Sequence, residues 1–452
     1  MSEVGFRWFL DRLRGEGELV EVDRPVSAVH ELAAYVDASE RSDNKAFLFR
    51  EVQGHTVPVA AGLYGSTRRH LLGLRMGAMV EFAECLEQAI ARPVAPERLG
   101  GAGDGCQQVR FTPDMGLELL PIPTHFPGDA GPYITAGVVL FHDGKRRNAG
   151  VYRIQVHGSH EITVMTNRFH DGHGIVGDAL AAGRAVDVAI AIGVDPALFI
   201  AAFWPVGPVA DETGVAGALM GRPLEVVPAL TVDLDVPAHA EIVIEGRIHR
   251  GRTRHEGPFA DITGQITSAG QQPVVEVSAI TTRRDPIYHT VLGFNSREHF
   301  KSRNNDFWHD YQAAGRARVR GLDPGTAYDV HFPPAGRNFH AVASLRKLDD
   351  GMPRRLIERL FGAYGYLKRV VVVDDDIDIR DPAQVEWAQA TRVGRPEQIT
   401  VNQGLGSRID ASRDPSDERV VKVGIDATVP LAQRGEVIRP GLSETGLREE
   451  ES

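Results

Sequence analysis

The middle of this 452-residue chain is a succession of short β-like runs, and no other feature of the sequence restricts the possible folds as much. Between about residues 115 and 320, Gly, Pro and Asp separate the runs, as expected of turns between strands. The runs are ITAGVVLF, AGVYRIQVH, EITVMTN, AVDVAIAIG, LEVVPALTVDLDV, AEIVIEGRIH and VVEVSAITTRR. Two short helix candidates interrupt them, near residues 197–203 and 213–220. This region therefore predicts a β-barrel or a β-sandwich.

The segments on either side alternate between helical and strand patterns. The N-terminal part contains apolar residues at helical spacing, then the strand-like ELVEVDRPV and the helical MVEFAECLEQAIA. The C-terminal part contains the strand patterns AVASLRK and RVVVVDDDIDI and the helical patterns RRLIERLFGAYG and PAQVEWAQATR. We expect an α+β protein with an N-terminal α/β region (1–110), a β-rich domain (111–320) and a C-terminal α/β domain (321–452) ending in a polar tail.

Composition excludes several classes of function. A net charge of −11 argues against binding to nucleic acid, which requires a basic surface. Asp and Pro interrupt the longest apolar stretch, residues 185–209, so no membrane span is expected. The N-terminus carries alternating charges and does not resemble a secretory signal, and the only cysteines are Cys85 and Cys106. These features predict a cytoplasmic protein.

Polar residues that could act in catalysis or ligand binding are concentrated in four segments of the β-rich region. They are NAGVYR (148–153), RFHDGH (168–173), DETGVAG (211–217) and EGPFADITG (256–264). Each is flanked by Gly or Pro, as expected for strand ends and turns, where side chains or backbone approach a ligand.

Three of these segments offer possible ligands for a cation. Asn148, His170 and Glu212 could supply an amide oxygen, a nitrogen and a carboxylate to Mn²⁺ or Mg²⁺. Their spacing does not by itself favour a metal over turn histidines that bond the loop backbone. His170 and His173 form an H-x-x-H, but neither a third ligand nor the helical spacing of a zinc site accompanies them.

Arg153, Glu256 and Asp261 could form an acid–base cluster if the sheet brings them together. An arginine stabilises one carboxylate as an anion, whereas an apolar environment favours a protonated partner. The alternative is a surface turn with an ordinary ion pair. The acidic run 374–378 predicts a solvated turn or a helix cap, and no nucleotide-binding or hydrolase motif is present.

In this order the motifs resemble the UbiD family of prenylated-FMN-dependent decarboxylases. NAGVYR is similar to N-x-G-x-Y-R, DETGVAGAL to D-E-x-x-x-A-G-x-L, and EGPFADITG to E-G-P-[FY]-G-[DE]-x-x-G. FHDGH, AEIVIEG, VVVVDDDIDIRD and VGIDAT also resemble family segments, so the similarity extends from about residue 110 to 430. Ala260 and Ile262 depart from the commonest family residues beside Asp261.

The resemblance implies a central FMN-binding split β-barrel, with a C-terminal domain that assists oligomerisation as a homodimer or homohexamer. It implies that Asn148, His170 and Glu212 hold Mn²⁺ or Mg²⁺ against the flavin phosphate, and that backbone oxygens of Ala149, Ala201 and Trp204 bind K⁺. The residues implied to contact prenylated FMN are Asn148, Ala149, Gly150, Val151, Arg153, Phe169, His170, Ala202, Pro205 and Glu212. A flavin prenyltransferase would supply this cofactor.

The implied reaction is the reversible, non-oxidative decarboxylation of an aromatic, heteroaromatic or α,β-unsaturated carboxylic acid through a covalent adduct with the cofactor. Arg153, Glu256 and Asp261 would be catalytic, with Asp261 as the proton donor. A flavin-dependent oxidoreductase and a non-catalytic flavin-binding subunit are the alternatives. Further along the chain are basic residues that either meet a second polar group of the substrate or lie on the surface: Arg297, His299, Lys301 and Arg303.

Overall fold

The protein is described from a computed structural model. It covers residues 5–101, 105–111, 115–166, 171–203, 211–268, 270–294, 296–298, 328–407, 409–414 and 416–434. The chain divides into two compact units, the first formed by residues 1–308 and 406–418 and the second by residues 309–405 and 419–452. Each unit has its own sheets and its own apolar core.

The first unit begins with an α/β region. Its elements are α1 (Phe6–Gly15), β1 (Leu19–Val22), α2 (Glu31–Glu40), β2 (Ala46–Phe49), β3 (Val59–Ala61), α3 (Thr67–Leu74) and α4 (Met79–Ala91). A four-stranded sheet has the order β1-β2-β3-β18, in which β18 is Tyr288–Thr290. The apolar residues at helical spacing in α1 are all buried, as the sequence pattern predicts: Phe6, Phe9, Leu10 and Leu13.

A nine-stranded antiparallel sheet forms the centre of the first unit. Its strands are β5 (Val109–Arg110), β6 (Tyr133–Ile134), β7 (Val138–His142), β8 (Arg147–Val151), β9 (Ile154–Val156), β10 (Glu161–Val164), β11 (Val186–Ile192), β14 (Ile242–Glu256) and β17 (Gly270–Thr282). The order is β6-β9-β10-β17-β14-β11-β7-β8, with β5 beside β17. The two ends of this order do not pair within the described residues, so the sheet does not close there into a barrel.

Smaller sheets and short 3₁₀ turns complete the framework. They are the sheet of β4 (Glu97–Arg98), β12 (Glu225–Pro228) and β13 (Asp235–Pro237), the hairpin of β15 (Phe259–Ala260) and β16 (Ile266–Thr267), and the 3₁₀ turns Leu117–Leu119, Pro334–Phe339, Pro396–Gln398 and Leu431–Gln433. The β-like runs predicted from the sequence therefore correspond to strands.

Among its described residues, the β-rich region contains one helix that the sequence pattern does not predict. α6 (Pro196–Ala201) and α7 (Glu212–Met220) were expected, but α5 (Asp171–Ala181) was not, and its first three residues belong to a segment where the sequence predicts a strand end or a turn. Its glycines lower the intrinsic helix propensity. Ile175, Val176 and Ala179 nevertheless pack into the core, and this tertiary contact outweighs propensity.

The second unit is a five-stranded α/β sheet. Its elements are β19 (Tyr328–His331), β20 (His340–Leu345), α8 (Met352–Ala363), β21 (Arg369–Asp374), α9 (Pro382–Arg392), β22 (Ile399–Leu405) and β23 (Arg419–Ala427). The order is β19-β20-β21-β23-β22, with β20, β21 and β23 parallel. Alternate valines of β21 join separate clusters, one containing residues of α8 and one containing residues of α9. In the part of the chain that the structure describes, no helix has the length and apolar character of a membrane span.

Candidate active site

Three distant parts of the first unit bring Arg153, Glu256 and Asp261 into contact. Arg153 lies between β8 and β9, Glu256 ends β14, and Asp261 follows β15. Arg153 Nε donates to Glu256 Oε1 at 2.8 Å, and Nη2 bonds the second oxygen of the same carboxylate. Arg153 Nη1 donates to Asp261 Oδ2 at 2.5 Å. One guanidinium therefore holds both carboxylates, as fork-shaped arginine geometry permits.

All three side chains are buried. Exposed fractions are 8% for the Arg153 side chain, 0% for that of Glu256 and 7% for that of Asp261. Burial alone would lower the pKa of Arg153, but the charges of Asp261 and Glu256 outweigh it, and the pKa rises. The guanidinium therefore stays charged, and the cluster is a buried network rather than the surface ion pair that local sequence also allowed.

A tight turn fixes Asp261 beside the arginine. Asp261 N donates to Gln265 O at 3.0 Å, and Asp261 Oδ1 accepts from Ile262 N at 2.7 Å. At the other end of the segment, Gly257 has a φ of +96° and donates its N–H to Gln155 Oε1 at 2.9 Å. This backbone conformation favours glycine and explains the Gly-Pro turn after Glu256.

Aromatic and hydroxyl side chains complete the surroundings of Arg153. Its guanidinium carbon lies 5.0 Å from the ring centre of Phe259, which packs 4.4 Å from the ring centre of Tyr133. Thr267 Oγ1 accepts from Arg153 Nη1 at 3.2 Å. Sequence reasoning did not find Tyr133 or Thr267, because only the paired strands bring them to the cluster.

A second buried cluster joins β8 to the start of α7. Asn148 Nδ2 donates to Glu212 Oε1 at 2.8 Å, and Ala149 N donates to Glu212 Oε2 at 2.9 Å. Asn148 Oδ1 accepts from Tyr152 OH at 2.7 Å. Asp211 caps α7 by accepting from Thr213 N, and this cap places Glu212 in the first helical turn.

The Glu212 carboxylate has the character of a cation ligand. Burial raises the pKa of Glu212 to about 8, although the Ala149 N–H opposes the shift. Within the described residues Glu212 forms no ion pair, so its negative charge has no nearby compensation there. A buried carboxylate next to an amide fits a divalent cation, provided that the Asn148 amide turns its oxygen toward Glu212.

Neighbouring backbone links the same cluster to α6. Val151 N donates to Ala202 O at 3.2 Å, so β8, which includes Gly150, is tied to the residue after α6, next to Ala201. Several expected site residues lie outside the described residues: Phe169, His170, Trp204 and Pro205. Within the described part, no group of three or more His, Cys, Asp and Glu side chains could hold a metal.

The basic residues after the β-rich region can be followed only in part. Arg297 is exposed, and its N–H donates to Glu40 Oε2 at 2.6 Å. His299, Lys301 and Arg303 lie outside the described residues. The other histidine of the H-x-x-H, His173, is in α5, where Nδ1 lies 3.4 Å from Thr166 Oγ1.

Family comparison accounts for nearly the whole chain. Models described as the N-terminal, Rift-related and C-terminal domains of 3-octaprenyl-4-hydroxybenzoate carboxy-lyase match residues 10–87, 100–295 and 316–427. Together with the buried Arg153 cluster, these matches define the class of the protein as a carboxy-lyase. The chain belongs to the UbiD family.

Individual relatives are similar over their full length. The anhydromevalonate phosphate decarboxylase of Methanothermobacter thermautotrophicus is 33% identical over 442 residues, covering 97% of this chain and 100% of the relative. The UbiD-class enzyme HmfF of Pelotomaculum thermopropionicum, solved with FMN, is 35% identical with a TM-score of 0.85 and 97% coverage of each chain. The vanillic acid decarboxylase of Sedimentibacter hydroxybenzoicus is 25% identical with a TM-score of 0.84, covering 97% of this chain and 95% of that one. An evolved dimeric form of HmfF contains prenylated FMN.

Proposed function

We propose that this protein removes CO₂ from an unsaturated carboxylic acid, using prenylated FMN and a divalent cation in a central split-barrel domain. The observation that carries the proposal is the buried Arg153 held by Glu256 and Asp261. A positive charge fixed in a buried position suits the orientation of a substrate carboxylate, and two flanking acids suit proton transfer. Such an arrangement has no evident use in a flavin-dependent oxidoreductase.

The second cluster supports the proposal for the cofactor. Asn148 and Glu212 would hold Mn²⁺ or Mg²⁺, with His170 as the third expected ligand, and the metal would neutralise the flavin phosphate. Backbone oxygens of Ala149, Ala201 and Trp204 would serve K⁺. When bound, the modified flavin supplies the conjugated system that accepts the electron pair left by the departing CO₂.

Three residues of this chain would orient the substrate and transfer the proton. Arg153 binds and orients the substrate carboxylate, and Glu256 keeps the guanidinium in place through two hydrogen bonds. As the carbon–carboxyl bond breaks and CO₂ leaves, Asp261 transfers a proton to that carbon and regains one from solvent. The reverse sequence of proton transfers would permit carboxylation at high CO₂.

The relatives suggest which acids to test. The names of similar proteins include decarboxylases of vanillic acid, of 3,4-dihydroxybenzoic acid and of anhydromevalonate phosphate. These names cover aromatic acids and a phosphorylated acid. A suitable panel therefore contains aromatic, heteroaromatic, acrylic and phosphorylated unsaturated acids.

The test is CO₂ release, with solvent deuterium incorporation, by protein matured with a flavin prenyltransferase and Mn²⁺. Wild-type protein should act on at least one acid of the panel, and Asp261→Asn and Glu256→Gln should each lose activity by about 10²-fold or more. A matched control is Glu245→Gln, a buried carboxylate that instead bonds Leu230 N and Thr231 N. Full activity in Asp261→Asn would refute the assigned roles, and an inactive wild type that binds the cofactor would favour the non-catalytic subunit.

We propose further that the expected C-terminal domain (321–452), most of which lies in the second unit, supports assembly into a homodimer or homohexamer. The edge pair β22–β23 carries apolar side chains on one face that are about half exposed or more: Ile399, Val401, Leu405 and Val421. Such a face is typical of a contact between proteins. Light scattering should show a smaller particle for Val401→Glu than for Asn402→Glu, whose side chain points to the other face of β22.

A further inference from the structure

Both backbone polar groups of Ala260, the residue before the expected proton donor, form hydrogen bonds. Ala260 O accepts from Phe294 N at 2.8 Å. Ala260 N donates to a side chain, Asp129 Oδ1, at 2.8 Å. Phe294 has a φ of +56°, an unusual conformation for a residue with a side chain. Both backbone polar groups of Ala260 are therefore anchored outside the β15–β16 hairpin.

Asp129 links two segments through its two oxygens. While Oδ1 binds Ala260 N, Oδ2 accepts from Phe126 N at 2.9 Å. The adjacent Ala130 N donates to Pro258 O at 2.8 Å. The turn that contains Asp129 thus contacts the Glu256–Asp261 segment at two successive points of its backbone.

We propose that Asp129 is a positioning residue that fixes the backbone immediately before Asp261 and thereby sets the direction in which Asp261 faces Arg153. The inference rests on the proposed function, because it assigns Asp129 to the same proton transfer. The reason is geometric. The peptide units on both sides of Ala260 are restrained while Ala260 N and Ala260 O both remain bonded, and the Asp261 side chain branches from the next Cα.

The charge of Asp129 also acts on this cluster. Burial raises the pKa of Asp129, while the N–H of Ala260, that of Phe126 and the nearby charge of Arg153 oppose the shift. Arg153 therefore lies within electrostatic reach of a third carboxylate, besides the two in contact with it.

The experiment compares Asp129→Ala, which removes both acceptors, with Asp129→Asn, which removes the charge and keeps one acceptor. Hydrogen–deuterium exchange of the peptide containing residues 259–264 reports the anchoring, and it needs neither cofactor nor substrate. Steady-state kcat and KM, measured on matured enzyme, report the effect on proton transfer. Glu245→Gln serves as the matched control, since this buried carboxylate also bonds two backbone N–H groups, away from the cluster.

We expect Asp129→Ala to raise deuterium uptake in residues 259–264 and to lower kcat at least about tenfold, with KM changed less than about threefold. Asp129→Asn keeps one acceptor, so it should raise uptake less than Asp129→Ala and retain more of kcat. Glu245→Gln should change neither uptake in this peptide nor kcat.

Unchanged uptake in both Asp129 variants would overturn the proposal. So would a loss of kcat that only parallels a loss of bound cofactor, because that result describes a structural role. If Asp129→Ala does not fold, Asp129→Asn decides through uptake and kcat. An inactive wild type would instead refute the proposed function, while the uptake comparison would still decide whether Asp129 anchors this turn.

Discussion

Arg153 donates hydrogen bonds to both carboxylate oxygens of Glu256, although the two residues lie 103 positions apart in the chain. A lysine at position 153 would carry the charge but could not form this paired geometry. We expect Arg153→Lys to lower the decarboxylation rate by about 10²-fold or more, as measured by initial CO₂ release. The control is Arg252→Lys, because Arg252 also bridges two carboxylates, Glu161 and Glu276, but is exposed. Equal rates in Arg153→Lys and wild type would contradict the role assigned to the guanidinium.

The conformation of Gly257 should be essential to the acid-bearing turn. A Cβ at this position would lie 2.6 Å from Ser268 Cα, and φ is +96°. Gly251 also has a positive φ, +80°, but no atom would lie within 4 Å of its Cβ. Gly257→Ala should therefore lower the free energy of unfolding by about 2 kcal/mol more than Gly251→Ala, because it adds a clash to the shared backbone strain. Urea denaturation measures the difference, and equal losses would show that the Ser268 contact relaxes freely.

Replacing Glu212 by glutamine separates metal binding from folding. Glu212→Gln removes the charge and preserves shape, so affinity for Mn²⁺ should fall by about 10²-fold or more. The metal-free variant should unfold at the same temperature as metal-free wild type or higher, since a neutral amide avoids the cost of burying a charge. Metal content after dialysis and thermal unfolding with a chelator give the two readouts. Wild-type Mn²⁺ retention by Glu212→Gln would exclude Glu212 as a ligand.

The fully buried Glu298 should make stability depend on pH. Its carboxylate accepts from Gly62 N and Tyr64 N, and burial, with a smaller effect of Glu40, raises the pKa of Glu298 to about 7. Because this pKa lies above the unfolded value of about 4.3, the native state keeps a proton that the unfolded state loses between these pH values. The stability contributed by this proton is present at low pH and disappears as pH rises through about 7, at a cost on the order of 3 kcal/mol.

Glu298→Gln should reduce that decline, because the amide does not ionise. Urea midpoints at about pH 5 and about pH 8 measure it. Glu276→Gln is the control, since Glu276 is exposed and should leave the wild-type slope intact. A steep wild-type slope that persists in Glu298→Gln would assign the pH dependence to another group.

Local sequence patterns predicted most elements, because periodicity reflects which side chains are buried. The apolar spacing of α1 was sufficient to predict a helix, and the valine run of β21 was sufficient to predict a buried strand. Local patterns did not predict α5, because its glycines lower the helix propensity and packing into the core stabilises the helix instead. The acidic run 374–378 was expected to be solvated or to cap a helix, and Asp375, Asp376 and Asp378 are exposed. Asp374, the last residue of β21, is instead buried and pairs with Arg392 and Arg434.

The candidate site could be predicted only as far as motifs mark it. Arg153, Glu256 and Asp261 each stand in a recognisable motif, and the structure brings them together. Asp129 and Thr267 contact this cluster or its backbone from segments without such a motif. Contacts of this kind depend on strand pairing between remote parts of the chain, which a single sequence does not specify.

The position of Asn148 and Arg153 on one stretch of chain limits how this enzyme can diverge. Asn148 lies in β8 and Arg153 follows the strand with four residues between them, so a register shift of β8 by one residue would displace both side chains at once. Substitutions that adapt the enzyme to a new acid would then accumulate in the hairpin turn around Ala260 and Ile262, which can change without moving Asn148 or Arg153.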